Sequence, residues 1–177
     1  MSEYQITCCS TADMPAQYFE EKKIPFVCFN FLMDGVQYPD DLGKSMPFKE
    51  FYKKIADGAE PTTAQVNTQQ YMELFEPILQ KGLDILHLTL SSGISGSINS
   101  ANIAKVQMEE KYPGRKVRII DSLSASSGYG MLVDMALTKQ QEGLSLEENA
   151  SWLEENRNKL HHWFFSTDLT SFIRGGR

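Results

Sequence analysis

The sequence predicts an α/β fold: a mostly parallel sheet with helices on both faces. Three observations carry that prediction. Short apolar runs rich in Ile, Leu and Val alternate with longer segments whose apolar residues recur every three or four positions. Glycine, proline and capping residues punctuate the junctions between them. Strands separated by helices imply parallel pairing with right-handed crossovers. A chain of 177 residues, 41% hydrophobic and 23% charged, reads as one domain, 1–177, since a domain of about 150 residues already hides roughly two-thirds of the surface its unfolded chain exposes. No internal repeat, linker or low-complexity stretch divides it.

A first strand runs to Cys8-Cys9 and is followed by Ser10-Thr11. Asp13-Met14-Pro15 is a helix-start signal, with aspartate as the cap and proline in the first turn, and a short helix extends to Lys22. Residues 24–31 are β-branched and aromatic enough to form one buried strand, ended by the turn Asp34-Gly35. Behind Pro47, the residues Phe48, Phe51, Tyr52 and Ile55 recur at helical spacing. Tyr71, Leu74, Phe75, Ile78 and Leu79 do the same, with Pro77 expected to kink or split that helix and Gly82 to stop it. Residues 83–90 form a core strand, and a turn of glycines and serines leads from it into a helix using Ile98, Ala101, Ala104 and Met108. Residues 117–120 are the next strand. A helix over residues 124–140 carries Tyr129, Leu132, Val133, Ala136 and Leu137 on one side, and Gly143 closes it. Ser145 with Glu148 three residues on is a capping box for a further helix. Residues 163–166 are expected to form a last short strand.

A net charge of −6 argues against a nucleic-acid or anionic-membrane binder, because both need a basic surface. The amino terminus has no basic stretch followed by a long apolar run, and Asn30 interrupts the most apolar segment, so neither a signal peptide nor a spanning helix is expected. The three cysteines are odd in number and two are neighbours, which offers no disulfide framework and no metal-binding pair. That usage fits a reducing, cytoplasmic setting, with Cys8 and Cys9 as small buried hydrophobes. His87, His161 and His162 have no metal-ligand spacing and read as surface or packing residues.

In an open parallel sheet, ligands bind beyond the carboxyl ends of the strands. Ser91-Ser92-Gly93-Ile94-Ser95-Gly96-Ser97 lies there, directly before a helix. Two readings stand side by side: an anion cradle built from N–H groups, hydroxyls and the helix dipole, or serines that simply cap a helix. Pro61-Thr62-Thr63-Ala64-Gln65 is a second hydroxyl cluster, placed between two helices, and Ser10-Thr11 a third; polar loops of this kind also serve as plain turns. Asp121-Ser122 ends a strand, where aspartate commonly holds backbone N–H groups. The chain has neither a triphosphate-binding loop nor a dinucleotide fingerprint. Ser95, Asp121 and His161 or His162 occur in the order used by α/β-hydrolases, but Gly93-Ile94-Ser95-Gly96-Ser97 places its second glycine one position early for a nucleophile elbow.

Taken together, Ser10-Thr11-Ala12-Asp13-Met14-Pro15, Pro61-Thr62-Thr63-Ala64-Gln65, Leu90-Ser91-Ser92-Gly93-Ile94-Ser95-Gly96-Ser97, Ile120-Asp121-Ser122 and Ile173-Arg174-Gly175-Gly176-Arg177 resemble the DegV family of bacterial fatty-acid-binding proteins. Their order and spacing span the whole chain. The resemblance implies a DegV-like amino-terminal domain that binds a long-chain, palmitate-like fatty acid, without a cofactor or metal. It implies a carrier for lipid transport, or a subunit that presents the acid to an ATP-dependent fatty-acid kinase, and not an enzyme. By the same resemblance Thr63 and Ser95 hold the carboxylate, backbone N–H groups near Ser95 and Gly96 complete the cradle, and Thr62 and Ser92 are secondary contacts.

Two motifs depart from the family pattern. Cys8-Cys9 stands where relatives usually carry Thr-Asp, which removes a hydrogen-bonding carboxylate from the end of the first strand. Ala64 and Val66 replace the serine and proline of the usual Thr-Thr-Ser-Gln-Pro, which drops a hydroxyl and loosens a turn. In relatives the segment around Arg174 and Arg177 leads into a second, smaller domain that covers the acyl chain and contributes a histidine near the carboxylate. The sequence stops at Arg177, so this domain is expected to be absent, and the two arginines mark either a kinase-facing or domain-junction surface or a disordered tail. A serine hydrolase using Ser95, and a structural or regulatory module that binds no lipid, are the competing functional readings.

Overall fold

The computed structural model describes residues 3–170 and Ile173. A four-stranded parallel sheet forms its centre, in the order β2 (Phe26–Val27), β1 (Tyr4–Cys9), β6 (Asp84–Thr89), β7 (Val117–Asp121). All six residues of β6 are buried, so both faces of the sheet are covered. The helices α3 (Thr68–Gln80) and α4 (Ser97–Lys111) pack on each other and on this sheet, as do α5 (Ser126–Gln141) and α6 (Leu146–Asn156). The α/β prediction therefore holds, with one addition. A separate three-stranded antiparallel sheet, in the order β4 (Val36–Pro39), β3 (Asn30–Met33), β5 (Thr62–Ala64), projects beside the carboxyl ends of the parallel strands.

The single strand expected over residues 24–31 is thus two short strands in different sheets. The chain turns at Phe29, whose N–H donates to Ser10 Oγ at 3.1 Å while its carbonyl accepts from the Asp40 N–H at 2.7 Å. Asp34 and Gly35 both have positive φ, 54° and 77°, and make the tight hairpin that joins β3 to β4. The Pro61–Gln65 cluster, expected as a loop, contains strand β5.

Other junctions differ in their capping. Asp13 does not cap the first helix: it takes a left-handed conformation after a 3-10 turn over Ser10–Ala12, and Pro15 precedes α1 (Ala16–Lys22). Pro77 leaves α3 in one piece. Pro77 and Glu73, four residues before it, are both exposed, so the carbonyl freed by the missing N–H faces water. The capping box at Ser145 is present, the serine hydroxyl accepting from the Glu148 N–H. Residues 163–166 form no strand. Trp163 and Phe165 are 93% and 95% exposed, and among the described residues no strand pairs with this segment.

Candidate functional site

The strand order places β1 and β6 side by side, with the next element of each half on the opposite flank. This is a topological switch point, where the crevice beyond the carboxyl ends opens. A cavity of about 600 Å³ lies there, within the roughly 300–1,000 Å³ usual for small-molecule sites. Its floor is Thr11 and Asp13 after β1, and Leu90, Ile94, Ser95 and Gly96 between β6 and α4. Its outer wall comes from the small sheet and from α2 (Phe48–Ala56).

That wall is largely aromatic. Phe29 and Phe31 from β3 and its approach, and Phe48, Phe51 and Tyr52 from α2, line the cavity with Met46 and Pro39. Phe31 stacks on Tyr38 with ring centroids 5.4 Å apart and meets Phe51 edge-on at 5.2 Å. The helical periodicity of residues 48–55 signals this face, but not what it packs on. No residue of α2 is buried, because its apolar side turns toward the open cavity and not into the core.

Alternation along β5 sorts the second hydroxyl cluster. Pro61, Thr63 and Gln65 line the cavity, whereas Thr62 and Ala64 lie on the other side of the strand. Of the residues predicted to hold a ligand, Thr63, Ser95 and Gly96 are brought together in the cavity wall, and Thr62 and Ser92 are not among its lining. The Ser92 N–H instead donates to Asp121 Oδ1 at 3.1 Å. Val66, in place of the usual proline, is fully buried and anchors the chain between β5 and α3.

At the start of α4 the N-cap is Gly96, and no side chain caps the helix. The Ser95 N–H donates to the Ser91 carbonyl at 3.1 Å, and Ser95 Oγ accepts from the Ser97 N–H at 3.2 Å. The backbone N–H of Ser95 is therefore already engaged. The Ser95 hydroxyl accepts one bond from Ser97 and keeps its own proton free to donate.

The cavity also holds groups that the sequence did not single out. Asp13 and Asp40 both line it. Burial raises the Asp13 carboxyl above its ordinary range, partly offset by a hydrogen bond with Ser126. Burial likewise raises Asp40, against a hydrogen bond from Ser10, and the neighbouring Asp13 and Asp41 charges push it further up. Nothing local in the sequence flags Asp40: the turn at Asp34-Gly35 is legible, but strand β4, only four residues long, which leads from it to Asp40, is not. No lysine or arginine among the described residues lines this cavity. Among the described residues no group of three His, Cys, Asp or Glu side chains is arranged for a metal ion, and no helix is long and apolar enough to cross a membrane.

The hydrolase constellation is not assembled in the cavity. Asp121 Oδ1 accepts from the Ser92 and Leu123 N–H groups and so ties two turns together. The His162 ring lies against Gly128 of α5, and neither His161 nor His162 lines the cavity that contains Ser95. His87 is a buried packing residue, between Tyr71 and Phe75 and bonded through Nδ1 to Thr7 Oγ1 at 2.8 Å. Cys8 and Cys9 are fully buried, and burial raises both thiols. The end of β1 keeps its hydrogen bond without a carboxylate at position 9: the Cys9 N–H donates to the Tyr129 hydroxyl at 2.9 Å. Arg174 and Arg177 lie outside the described residues.

Fold and site together define an open α/β protein with an aromatic-walled cavity at the switch point of its sheet. The chain belongs to the DegV family, described as uncharacterised proteins, whose profile matches residues 4–177. A DegV domain-containing protein of Clostridium perfringens is 37% identical over 177 residues, covering 100% of this chain and 61% of that protein. Among solved structures, a DegV family protein from Thermus thermophilus described by its fatty-acid binding matches with a TM-score of 0.82 and 29% identity, over 100% of this chain and 61% of that one. DegV from Bacillus subtilis, described as a fatty acid binding protein, matches with a TM-score of 0.87 and 26% identity over the same shares. The chain thus spans about three-fifths of the length of these relatives.

Proposed function

We propose that this chain binds one long-chain fatty acid in the cavity at its switch point, with the carboxylate held by the Thr63 and Ser95 hydroxyls and the acyl chain against the aromatic wall. One observation carries the reading. Thr63, from the small sheet, and Ser95, from the turn between β6 and α4, line the same cavity as Phe31, Phe51 and Tyr52, so polar donors and an apolar bed share a single volume. The solved Thermus and Bacillus relatives described as fatty-acid binders support it.

The energies divide the work. Burying about 14 methylenes of a palmitate-like chain at ~0.8 kcal/mol each gives about 11 kcal/mol gross, against roughly 1.5–3 kcal/mol for each hydrogen bond to a charged group. The tail supplies affinity and the head supplies position. On this reading the protein carries or presents the acid and contributes no catalytic group, and the resemblance to its family extends the proposal to a partner kinase that phosphorylates the exposed carboxylate.

Titration of delipidated protein with palmitate, followed by native mass spectrometry, tests the binding. One bound palmitate per chain is expected, and Thr63→Ala or Ser95→Ala should retain lipid while lowering acyl-phosphate formation by an added kinase. Absence of any palmitate complex would sink the proposal, and loss of lipid in step with turnover would overturn the division between tail and head.

A further inference from the structure

Gln65 closes the second hydroxyl cluster and is a polar residue of the cavity to which no role has yet been given. Alternation along β5 sends it to the same side as Thr63, and it lines the cavity beside Ser95 and Gly96. Its carboxamide lies across the backbone at the start of α4: a Cβ added at Gly96 would stand 3.0 Å from Gln65 Oε1 and 3.8 Å from Nε2. Gly96 has φ −78° and ψ 5°, a conformation open to any residue. A side chain at position 96 would therefore crowd the Gln65 carboxamide and push it aside by a few tenths of an ångström.

We propose that Gln65 is a further head-group residue, whose amide N–H donors select a carboxylate over a neutral head. This deepens the fatty-acid reading and rests on it. The surroundings say why a carboxamide suits the position. Asp13 and Asp40 share the cavity, and among the described residues no lysine or arginine lines it, so these residues oppose an anionic head unless neutral donors converge on it. A carboxamide presents two N–H donors without adding charge, and the Gln65 carbonyl oxygen, at 3.0 Å, lies nearer the Gly96 Cβ position at the start of α4 than the amide nitrogen at 3.8 Å, which suits the positive end of the helix dipole. Gly96 thus acts as a positioning residue, admitting the Gln65 side chain to the place where Ser95 donates.

Gln65→Glu keeps the shape and replaces donors with negative charge. Palmitate binding by the variant is expected to weaken about tenfold or more near neutral pH, with hexadecanol, of the same chain length and a neutral head, bound within about twofold of wild type. Gln65→Leu, which removes the donors without adding charge, should weaken palmitate by about threefold to tenfold. Gly96→Ala should weaken palmitate by a similar factor, and Gln65→Leu should cost less in that background than alone, since the two changes disable one contact. Wild-type palmitate affinity in Gln65→Glu overturns the role of Gln65. Equal loss of palmitate and hexadecanol overturns it too, because the residue would then act only on cavity shape. Failure of the unsubstituted protein to bind palmitate or hexadecanol is a different result: it overturns the fatty-acid reading itself and this inference with it.

Discussion

The Tyr129 hydroxyl bridges the gap between β1 and β6 where their ladder stops, donating to the Leu88 carbonyl at 2.5 Å and accepting from the Cys9 N–H at 2.9 Å. Paired register between these strands ends at Thr7 and His87. Beyond it the strands part toward the cavity, and a side chain from α5 satisfies the two backbone groups that parting would orphan. Tyr129→Phe keeps the ring and removes both bonds. A buried unsatisfied polar group costs roughly 1–3 kcal/mol, so a loss of about 2–4 kcal/mol in urea-unfolding stability is expected. A loss under about 0.5 kcal/mol would mean that the strand ends find other partners.

Gly130, the next residue of α5, has its own close neighbour. A Cβ there would lie 2.5 Å from the Ala12 carbonyl oxygen and 2.7 Å from Met14 Sδ. The carbonyl is backbone and cannot swing away, so Gly130→Ala must displace the 3-10 turn that carries Thr11 and leads to Asp13. A destabilisation of about 1–3 kcal/mol is expected, as for overpacked cores. Gly128→Ala is the control. The clash there is with the His162 ring at 2.5 Å, the end of a side chain in an exposed segment, so the loss should be clearly smaller. Equal losses at 128 and 130 would refute the argument from backbone contact.

The parallel sheet and its helices were legible because their signals are local. The run over β6 is apolar enough to be buried on both faces, and Ser145 with Glu148 fixes the start of α6. The antiparallel sheet was not, because strands of three or four residues with half-exposed faces carry little alternation. Missing it had a consequence for the site. Thr63 and Thr62 are chemically alike, and only knowledge that β5 is a strand tells which one faces the cavity. Asp40 and the aromatics of α2 reach the cavity through that same small sheet, so their sequence neighbours could not reveal their company. Ser95 and Gly96 were legible because they follow a core strand and precede a helix, a position defined by the main sheet alone.

His87 gives the fold a pH dependence of known sign. Burial lowers its pKa from 6.5 to about 3, so the unfolded chain binds a proton between those values and the folded chain does not. Stability is full above the unfolded pKa and falls as pH drops from about 6.5 toward 3, by at most about 1.4 kcal/mol per pH unit from this group. Chemical unfolding of wild type and His87→Gln between pH 4 and 7 isolates the contribution. The slope against pH should be shallower in the variant over the acidic part of this range. Parallel slopes would mean that His87 is protonated in the folded protein.

Asp40 should oppose the ligand that the cavity is proposed to take. It shares the lining with Thr63 and Ser95 and feels the charges of Asp13 and Asp41, and burial already raises its pKa. A raised carboxyl pKa means that the ionised form is disfavoured in the folded state, so its contribution to stability is present at low pH and lost as pH rises through the folded value. Asp40→Asn removes that cost and one negative charge from the cavity while keeping an oxygen for the Ser10 hydrogen bond. Above neutral pH, palmitate affinity should rise by about threefold to tenfold, roughly 0.7–1.4 kcal/mol, the scale of one partly screened charge. The difference from wild type should shrink as pH falls and Asp40 takes up its proton. Binding of hexadecanol should not change at either pH, because a neutral head does not sense the charge. Weaker palmitate binding in Asp40→Asn would show instead that the Asp40 carboxylate, through Ser10 and the Phe29 turn, holds the cavity open and does not repel the ligand.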